Sequence, residues 1–562
     1  MSNTPWLANY PEGVAHTIDP SQYTSLIDLL NESFDKYSNC PAFECMGKSL
    51  TFEEVDQLSA QFGAYLTKEL GLKKGDKVAI QMPNVLQNPI AMFGALRAGM
   101  TVVNTNPLYT ADEMKHQFND SGAKAVVILA NFAFNLEKII SDTAIEHVIV
   151  TEIGDMLGGL KGGIVNFVVK RVKKMVPKFS LPGAVSFNKA LSMGGKHSFE
   201  TAEVTHDDIA FLQYTGGTTG VSKGAMLTHR NIVSNLLQVN EWMSHGGLTE
   251  KKEIFITAIP IYHIFALVCN VFESVALGAH NILITNPRDM PGFVKELGKH
   301  KFTVITGVNT LFNGLLNNPD FKDIDFSALK FAFGGGMAVQ QAVAEKWEEV
   351  TKSPLSEGYG LTETSPVLTS NPLNGNGRVG FIGVPVPSTE ITLFDDDGKE
   401  VPIGEPGELC AKGPQVMKGY WNRPEETEQV MFNGWLKTGD VAIMDEDGFF
   451  KIVDRKKEMI LVSGFNVYPN EVENAIASHP KVLEVGAIGV PDSKSSEAVK
   501  AVIVKKDDSL TAEEIKAFCK DKLTGYKRPK HVSFVDELPK SNVGKILRRI
   551  IKENDMKEHS YN

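Results

Sequence analysis

Helical and strand patterns alternate along this chain from Ser25 onward, and this alternation constrains the fold more than any other feature of the sequence. Thr51 and Glu54 have the spacing of a capping box, which predicts that a helix begins just after Thr51. The elements predicted next are a strand at Val78–Met82, a helix near Ala91–Leu96, and strands at Val102–Asn104 and Ala125–Ala130. This βαβα order predicts a largely parallel sheet whose faces are covered by helices.

The size and charge of the chain bound its function. At 562 residues it exceeds one ordinary domain, so we expect two or more hydrophobic cores. A formal net charge of −11 argues against a general nucleic-acid binder. An acidic protein that binds a polyphosphate must gather its positive charge locally, so lysines near a phosphate-binding loop become informative.

Cysteine usage and hydropathy indicate the compartment. The scattered cysteines, none in a C-x-x-C pair, predict a reduced compartment without a zinc site. The N-terminus lacks the basic and apolar regions of a signal peptide, and polar residues such as Asn270 and Glu273 interrupt the most apolar stretch, Ile264–Ile284. We therefore expect a cytoplasmic protein that at most lies on a membrane surface. The cysteines are Cys40, Cys45, Cys269, Cys410 and Cys519.

Residues 214–225, YTGGTTGVSKGA, concentrate glycine, hydroxyl and lysine side chains in one short run. Glycine lets the backbone approach a ligand closely, and successive backbone N–H groups form a concave binding site for anions. Lys223 adds a full positive charge. The run therefore predicts a polyphosphate-binding loop, whose candidate ligands are Thr215, Gly216, Gly217, Thr218, Thr219, Gly220, Ser222, Lys223 and Gly224.

Three alternative interpretations fit this run less well. A Walker loop requires lysine directly after the last glycine, whereas here Lys223 follows Ser222. The sequence from Gly220 to Gly224 also matches G-x-S-x-G, but a hydrolase nucleophile elbow needs a strand that ends at the serine. A plain surface loop rarely carries so many hydrogen-bonding groups.

Two further glycine motifs follow downstream. A strand predicted at Leu329–Phe333 ends in three glycines, and the motif GYGLTET occupies residues 358–364. Ligands of α/β folds bind at the carboxyl ends of parallel strands, so both motifs are candidate ligand-binding edges. Tyr359 can stack on a base, and Glu363 can hold a divalent cation. The residues concerned are Gly334, Gly335, Gly336, Tyr359, Gly360, Thr362 and Glu363.

His263 follows a predicted strand, Ile254–Ile259, and precedes a strongly apolar helical pattern that begins at Phe265. A buried helix beside such a turn can form the wall of an apolar substrate pocket. The pattern fits plain hydrophobic core equally, and a lone histidine is more often structural than catalytic. The residues alone leave both interpretations open.

The chain changes character near Ile391, where closely spaced Asp-Gly and Pro-Gly turn signals predict a small antiparallel β unit. Within this unit the motif NGWLKTGD ends in Asp440, which follows a glycine turn and can accept hydrogen bonds from two ribose hydroxyls. A hairpin turn is predicted at Asp447-Gly448.

A charged run at residues 454–457 predicts a domain boundary, and a compact α+β module follows it. The last part of this module is rich in lysine and arginine. Lys545 follows Gly544 in a turn and is a candidate functional cation, whereas Arg548 and Arg549 fit a solvated basic tail.

Residues 157–180 interrupt the alternating pattern with a basic amphipathic helix. A helix of this kind can lie in a membrane interface. An ordinary helix packed on the core with a solvated basic face is the alternative. Its apolar stripe is Ile164, Val168, Val172 and Met175, and its basic residues are Lys170, Arg171, Lys173 and Lys174.

The ordered motifs together resemble the adenylate-forming superfamily, which includes acyl-CoA synthetases, coumarate–CoA ligases, firefly luciferase and peptide-synthetase adenylation domains. They are YTGGTTGVSKGA, GYGLTET, NGWLKTGD, VDRKKEMILVSGFNVYPNEVE and PKSNVGKILRR. Residues 433–457 resemble the signature of fatty acyl-CoA synthetases, and nearly the whole chain resembles their bacterial long-chain members, which serve β-oxidation. The fold implied is a large N-terminal domain (1–455) of two αβ layers plus a β-barrel-like subdomain, and a small mobile α+β C-terminal domain (456–562).

The resemblance implies that a fatty carboxylate attacks the α-phosphate of ATP and that coenzyme A then displaces AMP. It implies that Thr215, Thr218, Thr219 and Lys223 hold the β- and γ-phosphates, and that Glu363 with Thr215 carries Mg²⁺. It also implies that Tyr359 and Gly334–Gly336 pack on adenine and that Asp440 and Arg455 hold the ribose. Lys545 would bridge the α-phosphate and the fatty carboxylate, and His263 would lie beside that carboxylate.

The small domain of the family rotates between the two steps, here about Lys457, and presents the Gly464 stretch to coenzyme A. Some long-chain members carry a gating tryptophan where this chain has Leu267. A medium-chain or aryl acyl-CoA ligase is therefore the alternative, and a non-catalytic lipid or nucleotide carrier is the alternative from another class. The oligomeric state, including a homodimer, stays open.

Overall fold

The computed structural model describes residues 4–215, 222–492 and 494–559. Within these ranges the protein is a mixed α/β structure with a large N-terminal domain, built on three sheets, and a small C-terminal domain built on a fourth. This confirms the predicted fold class. Its α-helices are Leu26–Tyr37, Phe52–Ala64, Gln87–Arg97, Ala111–Ser121, Ala133–Glu137, Gly159–Phe167, Phe187–Gly194, His229–His245, Ile264–Ala266, Glu273–Ala276, Met290–Leu297, Asn309–Leu316, Gln341–Thr351, Pro424–Val430, Pro469–Ala477, Ala512–Lys520 and Arg548–Glu558.

The first sheet is parallel except at one edge, where its last two strands form an antiparallel hairpin around the glycine loop. Three of its strands were predicted, and their observed ends lie within two residues of the prediction. In spatial order the strands are Val185–Ser186, His147–Thr151, Ala123–Leu129, Lys77–Gln81, Thr101–Asn104, Ile209–Thr215 and Lys223–Thr228.

The second sheet has a parallel centre and antiparallel edges. One edge is an N-terminal hairpin that the sequence did not predict, since its strands are short and its parallel partner, at Asn281, lies far along the chain. In spatial order the strands are Val384–Pro385, Val367–Ser370, Leu355–Gly360, Phe331–Gly334, Val304–Gly307, Ile254–Thr257, His280–Leu283, Pro41–Cys45 and Lys48–Thr51.

The third sheet and the C-terminal sheet have five strands each. The third is antiparallel, as predicted for the small β unit, and consists of Glu390–Phe394, Gly407–Lys412, Met431–Phe432, Trp435–Met444 and Phe450–Arg455. The C-terminal sheet is mixed and consists of Ile460–Val462, Phe465–Val467, Val482–Asp492, Ser496–Lys505 and His531–Val535.

Local sequence signals account for several helix starts. The predicted capping box is confirmed, because the Thr51 backbone N–H donates to Glu54 Oε2 at 2.8 Å and the Glu54 N–H donates to Thr51 Oγ1 at 3.2 Å. Thr511 likewise accepts from the Glu514 backbone N–H at 3.2 Å.

The predicted amphipathic segment forms the helix Gly159–Phe167, which continues as a π-helical turn at Val168–Val172. Several of its apolar side chains face solvent instead of the core, and the most exposed are Leu160 at 83% and Val172 at 64%. Among the residues that the structure describes, no helix combines the length and the apolar character that a membrane crossing requires.

Candidate active site

A cavity of about 230 Å³ lies where strands of the first and second sheets reach their carboxyl ends. The third sheet and a turn of the C-terminal domain each contribute to its wall, so residues from three sheets and from the small domain meet around one space. Eleven predicted site residues line it: Thr215, His263, Gly334, Gly335, Gly336, Tyr359, Gly360, Thr362, Glu363, Arg455 and Lys545.

Glycines keep one wall of the cavity free of side chains. A Cβ atom on Gly335 would lie 3.0 Å from the ring of Phe265, and one on Gly334 would lie 2.3 Å from a Val339 methyl. Since real Cβ atoms do not approach other heavy atoms so closely without a shift, a strip of bare backbone borders the cavity. Such a strip can contact a planar ligand directly.

Asp440 is held between an aromatic and a cation. The Tyr359 hydroxyl donates to Asp440 Oδ2 at 2.6 Å, and Arg455 Nε lies 3.4 Å from Asp440 Oδ1. Asp440 and Arg455 are directly paired on adjacent antiparallel strands, which fixes their approach. Burial, together with the negative charge of Asp440, raises the pKa of Tyr359 well above its usual value. Tyr359 therefore stays a hydrogen-bond donor at neutral pH.

Lys545 enters the cavity from the C-terminal domain. Its turn is closed by the Gly544 backbone N–H, which donates to the Ser541 carbonyl at 2.9 Å, and Gly544 adopts a φ of +86°. Removal from water, with a smaller effect from the charge of Arg455, lowers the pKa of Lys545 to about 8. The amine is still mostly protonated at pH 7.

Two hydrogen bonds join the Lys545 region to the large domain. Thr310 Oγ1 donates to the Gly544 carbonyl at 2.8 Å, and Asn313 Nδ2 donates to the Leu483 carbonyl at 2.9 Å. Both donors lie on the helix Asn309–Leu316. This helix therefore holds the lysine-bearing turn over the cavity.

His263 is the N-cap of the helical segment that forms one cavity wall. The Phe265 backbone N–H donates to His263 Nδ1 at 3.3 Å. Burial and the nearby positive charge of Lys545 lower the pKa of His263 to about 4, so its ring is neutral at pH 7. Both interpretations of the sequence thus apply, since His263 caps a helix and lines the cavity.

Glu363 is linked to Lys223 through an aromatic residue that the sequence analysis missed. The Tyr420 hydroxyl donates to Glu363 Oε1 at 2.6 Å, and Lys223 Nζ lies 4.5 Å from the centre of the Tyr420 ring. Tyr420 is anchored in turn by an isolated β-bridge to Ala225. No short-range sequence pattern reports this contact, because Tyr420 and Glu363 are 57 residues apart.

The base of the glycine loop is braced by a neighbouring helix. The Tyr214 hydroxyl donates to Asp120 Oδ2 at 2.6 Å, and His116 Nε2 lies 3.0 Å from the Ser222 carbonyl oxygen. A Cβ on Gly224 would lie 3.0 Å from the Tyr214 ring. Five predicted phosphate ligands lie outside the described residues: Gly216, Gly217, Thr218, Thr219 and Gly220.

Some predicted residues do not line the cavity. Ser222, Lys223, Gly224 and Asp440 are not among its lining residues, and Lys457 and Gly464 lie on exposed turns of the chain.

The assignment of Arg548 to a solvated tail is wrong. Arg548 Nη1 lies 2.7 Å from Glu458 and 3.0 Å from Asp454, and its Nη2 lies 2.6 Å from Glu473. These carboxylates raise the pKa of Arg548 well above its usual value against the opposing effect of burial. Only Arg549 is solvated, with 67% of its side chain exposed.

The arrangement matches a known family in both domains. The model for AMP-binding enzymes matches residues 30–421, and the model for the C-terminal domain of AMP-binding enzymes matches residues 471–545. The chain therefore belongs to the AMP-binding enzymes. It is 58% identical over 549 residues to a long-chain-fatty-acid–CoA ligase of Escherichia coli O6:H1, with 98% of each chain covered. A ligase of the same name from Haemophilus influenzae is 52% identical over 553 residues, with 98% of each chain covered.

Solved structures show the same fold. An anthranilate CoA ligase in complex with anthranoyl-AMP superposes with a TM-score of 0.85 at 27% identity, covering 96% of this chain and 99% of that one. ATP-bound MatB from Rhodopseudomonas palustris superposes with a TM-score of 0.81 at 28% identity, covering 95% of this chain and 100% of that one. Apo MatB from the same organism superposes with a TM-score of 0.71 at 27% identity, covering 96% of this chain and 100% of that one.

Proposed function

We propose that this protein is a long-chain-fatty-acid–CoA ligase that activates fatty acids with ATP for degradation. A carboxylate oxygen bonds to the α-phosphorus as the bond to pyrophosphate breaks, which gives an acyl-adenylate. The thiol sulfur of coenzyme A then attacks the acyl carbon, AMP leaves, and the thiol proton passes to solvent. The observation that carries the proposal is the cavity in which Lys545 of the small domain faces Glu363 and the glycine wall of the large domain.

Lys545 suits the first step because that step brings two anions together. A fixed cation offsets this repulsion on a scale of ~4 kcal/mol per charge pair at 4 Å and an effective dielectric constant of about 20. The amine bridges the fatty carboxylate and the α-phosphate. Neutral His263, which lines the same cavity, adds no further charge there.

The remaining polar residues fit the nucleotide. In this proposal adenine packs on the bare edge at Gly335, and Asp440 holds the ribose together with Arg455, which pairs with it and lines the cavity. Glu363 Oε1 accepts the hydrogen bond from the Tyr420 hydroxyl, so Glu363 Oε2 would be the atom that binds Mg²⁺. The Thr215 hydroxyl would be a second hard oxygen ligand. Bound there, the ion would neutralise phosphate charge. The loop residues Gly216, Gly217, Thr218, Thr219 and Gly220, which lie outside the described residues, and Lys223 stay predicted phosphate ligands.

Apolar side chains make up much of the cavity lining and favour an alkyl chain. Leu267, at the position of the gating tryptophan in some relatives of the family, is fully buried in the hydrophobic core and does not line the cavity. Access of the chain therefore depends on other residues. The apolar lining residues include Val239, Trp242, Met243, Phe265, Cys269 and Phe333.

The second step requires the small domain to turn. The domains, proposed as 1–455 and 456–562, meet between Arg455, the last residue of the third sheet, and Ile460, the first of the C-terminal sheet. Lys457 lies on the exposed turn between them, and Gly464 is exposed on a hairpin. The different TM-scores of ATP-bound and apo MatB support a movement of this kind.

The proposal includes contact with an anionic membrane surface through residues 159–175. The exposed apolar side chains of this segment stand beside a run of lysines and arginine, a combination that favours the lipid interface. The apolar residues are Leu160, Ile164, Phe167, Val172 and Met175, with exposures between 52% and 83%. The cytoplasmic location and a homodimer stay predictions.

Flotation on phosphatidylglycerol vesicles tests the membrane contact. The triple variant Leu160→Ser, Ile164→Ser and Phe167→Ser should lose vesicle binding. The matched control replaces three scattered exposed residues, Leu108→Ser, Val379→Ser and Ile403→Ser, and should bind like the parent chain. Equal flotation of both variants would refute this contact without affecting the ligase proposal.

An assay of acyl-CoA formation across acid chain lengths tests the activity. With ATP and Mg²⁺ but no coenzyme A, we expect pyrophosphate release and a bound acyl-adenylate. With coenzyme A, saturated acids of long chain should give the highest kcat/KM. Preference for medium-chain or aryl acids would overturn the substrate assignment, and absence of pyrophosphate release would overturn the enzyme assignment.

A further inference from the structure

We propose a second metal site, for one transition-metal ion of the zinc class, on the surface of the large domain. Its protein ligands are Glu44, Glu296 and His300, and their ligand atoms all lie within 4.8 Å of one another. None of the three lines the active-site cavity. The cysteine spacing gave no indication of this site, because its ligands are histidine and carboxylates.

The ligands come from elements that are distant in sequence. Glu44 lies on the unpredicted N-terminal hairpin, Glu296 lies in the last turn of the helix Met290–Leu297, and His300 follows that helix. The three side chains are 13–20% exposed, so they are held by packing yet accessible to an ion from solution.

The ligand atoms are spaced as the ligands of one metal ion are, and the hydrogen bond between His300 Nε2 and Glu296 Oε1 is long at 3.5 Å. His300 Nε2 lies 3.5 Å from Glu296 Oε1 and 3.9 Å from Glu44 Oε1. Good N–H···O hydrogen bonds span about 2.7–3.2 Å. Ligands about 2.0–2.1 Å from a tetrahedral zinc ion stand roughly 3.4 Å apart. The contacts thus have lengths close to the edges of a zinc coordination tetrahedron.

Neighbouring residues orient the two carboxylates. Glu44 Oε2 faces His280 Nε2 at 3.4 Å, which leaves Oε1 directed toward His300. Glu296 Oε2 likewise pairs with the Lys299 amine, and Glu296 Oε1 lies toward His300. Outer partners of this type fix the ligands of metal sites. Solvent completes the coordination, and His280 is the nearest further imidazole.

One nitrogen and two carboxylate oxygens favour a borderline ion such as Zn²⁺ over Mg²⁺, which prefers an octahedral set of oxygens. The site would tie the N-terminal hairpin to the helix Met290–Leu297. A metal that binds only the folded chain stabilises it by mass action. We therefore expect a structural effect of zinc that is separate from the Mg²⁺ used with ATP.

Zinc binding by the full-length protein tests the proposal, with millimolar Mg²⁺ present throughout. Equilibrium dialysis should give one Zn²⁺ per chain, and thermal unfolding should shift to higher temperature. Glu296→Gln and His300→Ala should each weaken binding at least tenfold and abolish the shift. His197→Ala is the matched control, since it removes an isolated histidine 2.6 Å from Glu69, and it should bind like the parent chain.

Co²⁺ provides a readout that does not depend on stability. The parent chain should give visible absorption bands of a low-coordinate Co²⁺ site that Zn²⁺ displaces, and Glu296→Gln, which keeps the shape of the side chain, should lose them. Absence of stoichiometric zinc binding by the parent chain, or unchanged binding by Glu296→Gln, would overturn the site.

Discussion

The two candidate lysines, Lys223 and Lys545, are held in different ways. Lys223 lies in a strand of the first sheet, opposite Thr215 in the hairpin register, and its amine packs on the Tyr420 ring. Lys545 lies in a turn of another domain, and its turn reaches the large domain through the hydrogen bond from Thr310. The first lysine is fixed by the sheet, whereas the second is positioned by a contact that can be released.

This difference suggests how one cavity can serve two reactions. The proposed phosphate-binding residues belong to the body of the large domain, so in the proposed mechanism they stay in place when the small domain turns. The proposed catalytic amine of Lys545 leaves with that domain. Adenylation should therefore depend on the position of the small domain chiefly because that domain carries the Lys545 amine.

The largest expected effect comes from Lys545→Ala. It should lower the rate of adenylation by roughly 10²–10³-fold, the scale of one lost electrostatic stabiliser, and leave thioester formation from supplied acyl-adenylate largely intact. Pyrophosphate release and acyl-CoA formation measure the two steps separately. Lys540→Ala is the control, because this lysine of the same turn region pairs with Glu484 at 2.7 Å. An equal loss in both steps would contradict the rotation.

Lys223→Ala should have a smaller effect, a decrease of about 10–100-fold in ATP–pyrophosphate exchange, because its partly solvated charge is one of several phosphate-binding groups. Lys412→Ala tests whether loss of any ring-packed lysine matters, since Lys412 Nζ lies 4.4 Å from the Trp435 ring centre. If the two variants exchange at the same rate, Lys223 does not hold phosphate.

The pH dependence should separate the lysines further. The pKa of Lys545 is lowered to about 8, so its charged form predominates below pH 8 and is lost as the pH rises. Adenylation should fall about tenfold per pH unit above that value, whereas thioester formation from supplied acyl-adenylate should not show this descending limb. The pH profiles of the two steps, measured between pH 6 and 10, test this. A shared descending limb would argue against Lys545 as its cause.

The smallest expected effect is that of Thr310→Val, which keeps the shape of the side chain but removes the donor to Gly544. A hydrogen bond contributes about 1 kcal/mol, so adenylation should fall roughly fivefold while thioester formation is unaffected. Thr310→Ser, which retains the hydroxyl, should act like the parent chain. A loss in Thr310→Ser equal to that in Thr310→Val would show that the hydrogen bond is not the cause.

The parts of the site that could be predicted from the sequence are those formed by short runs of contiguous residues. The glycines after Phe333, the GYGLTET motif and Lys545 all reach the cavity. The partners that position them could not be predicted, because each contact joins distant positions. Thr310 and Gly544 are 234 residues apart, and Arg548 contacts Asp454 across 94 residues. Local patterns report turns and helix faces but not which faces meet.

The cap formed by His263 has one more consequence. Because Nδ1 accepts the Phe265 backbone N–H, the single proton of the neutral ring must sit on Nε2. The imidazole is thus locked in one tautomer and can offer only a donor to a bound acid. It can orient a carboxylate, but it cannot take up a proton at Nδ1 unless the first turn of the helix gives up its cap.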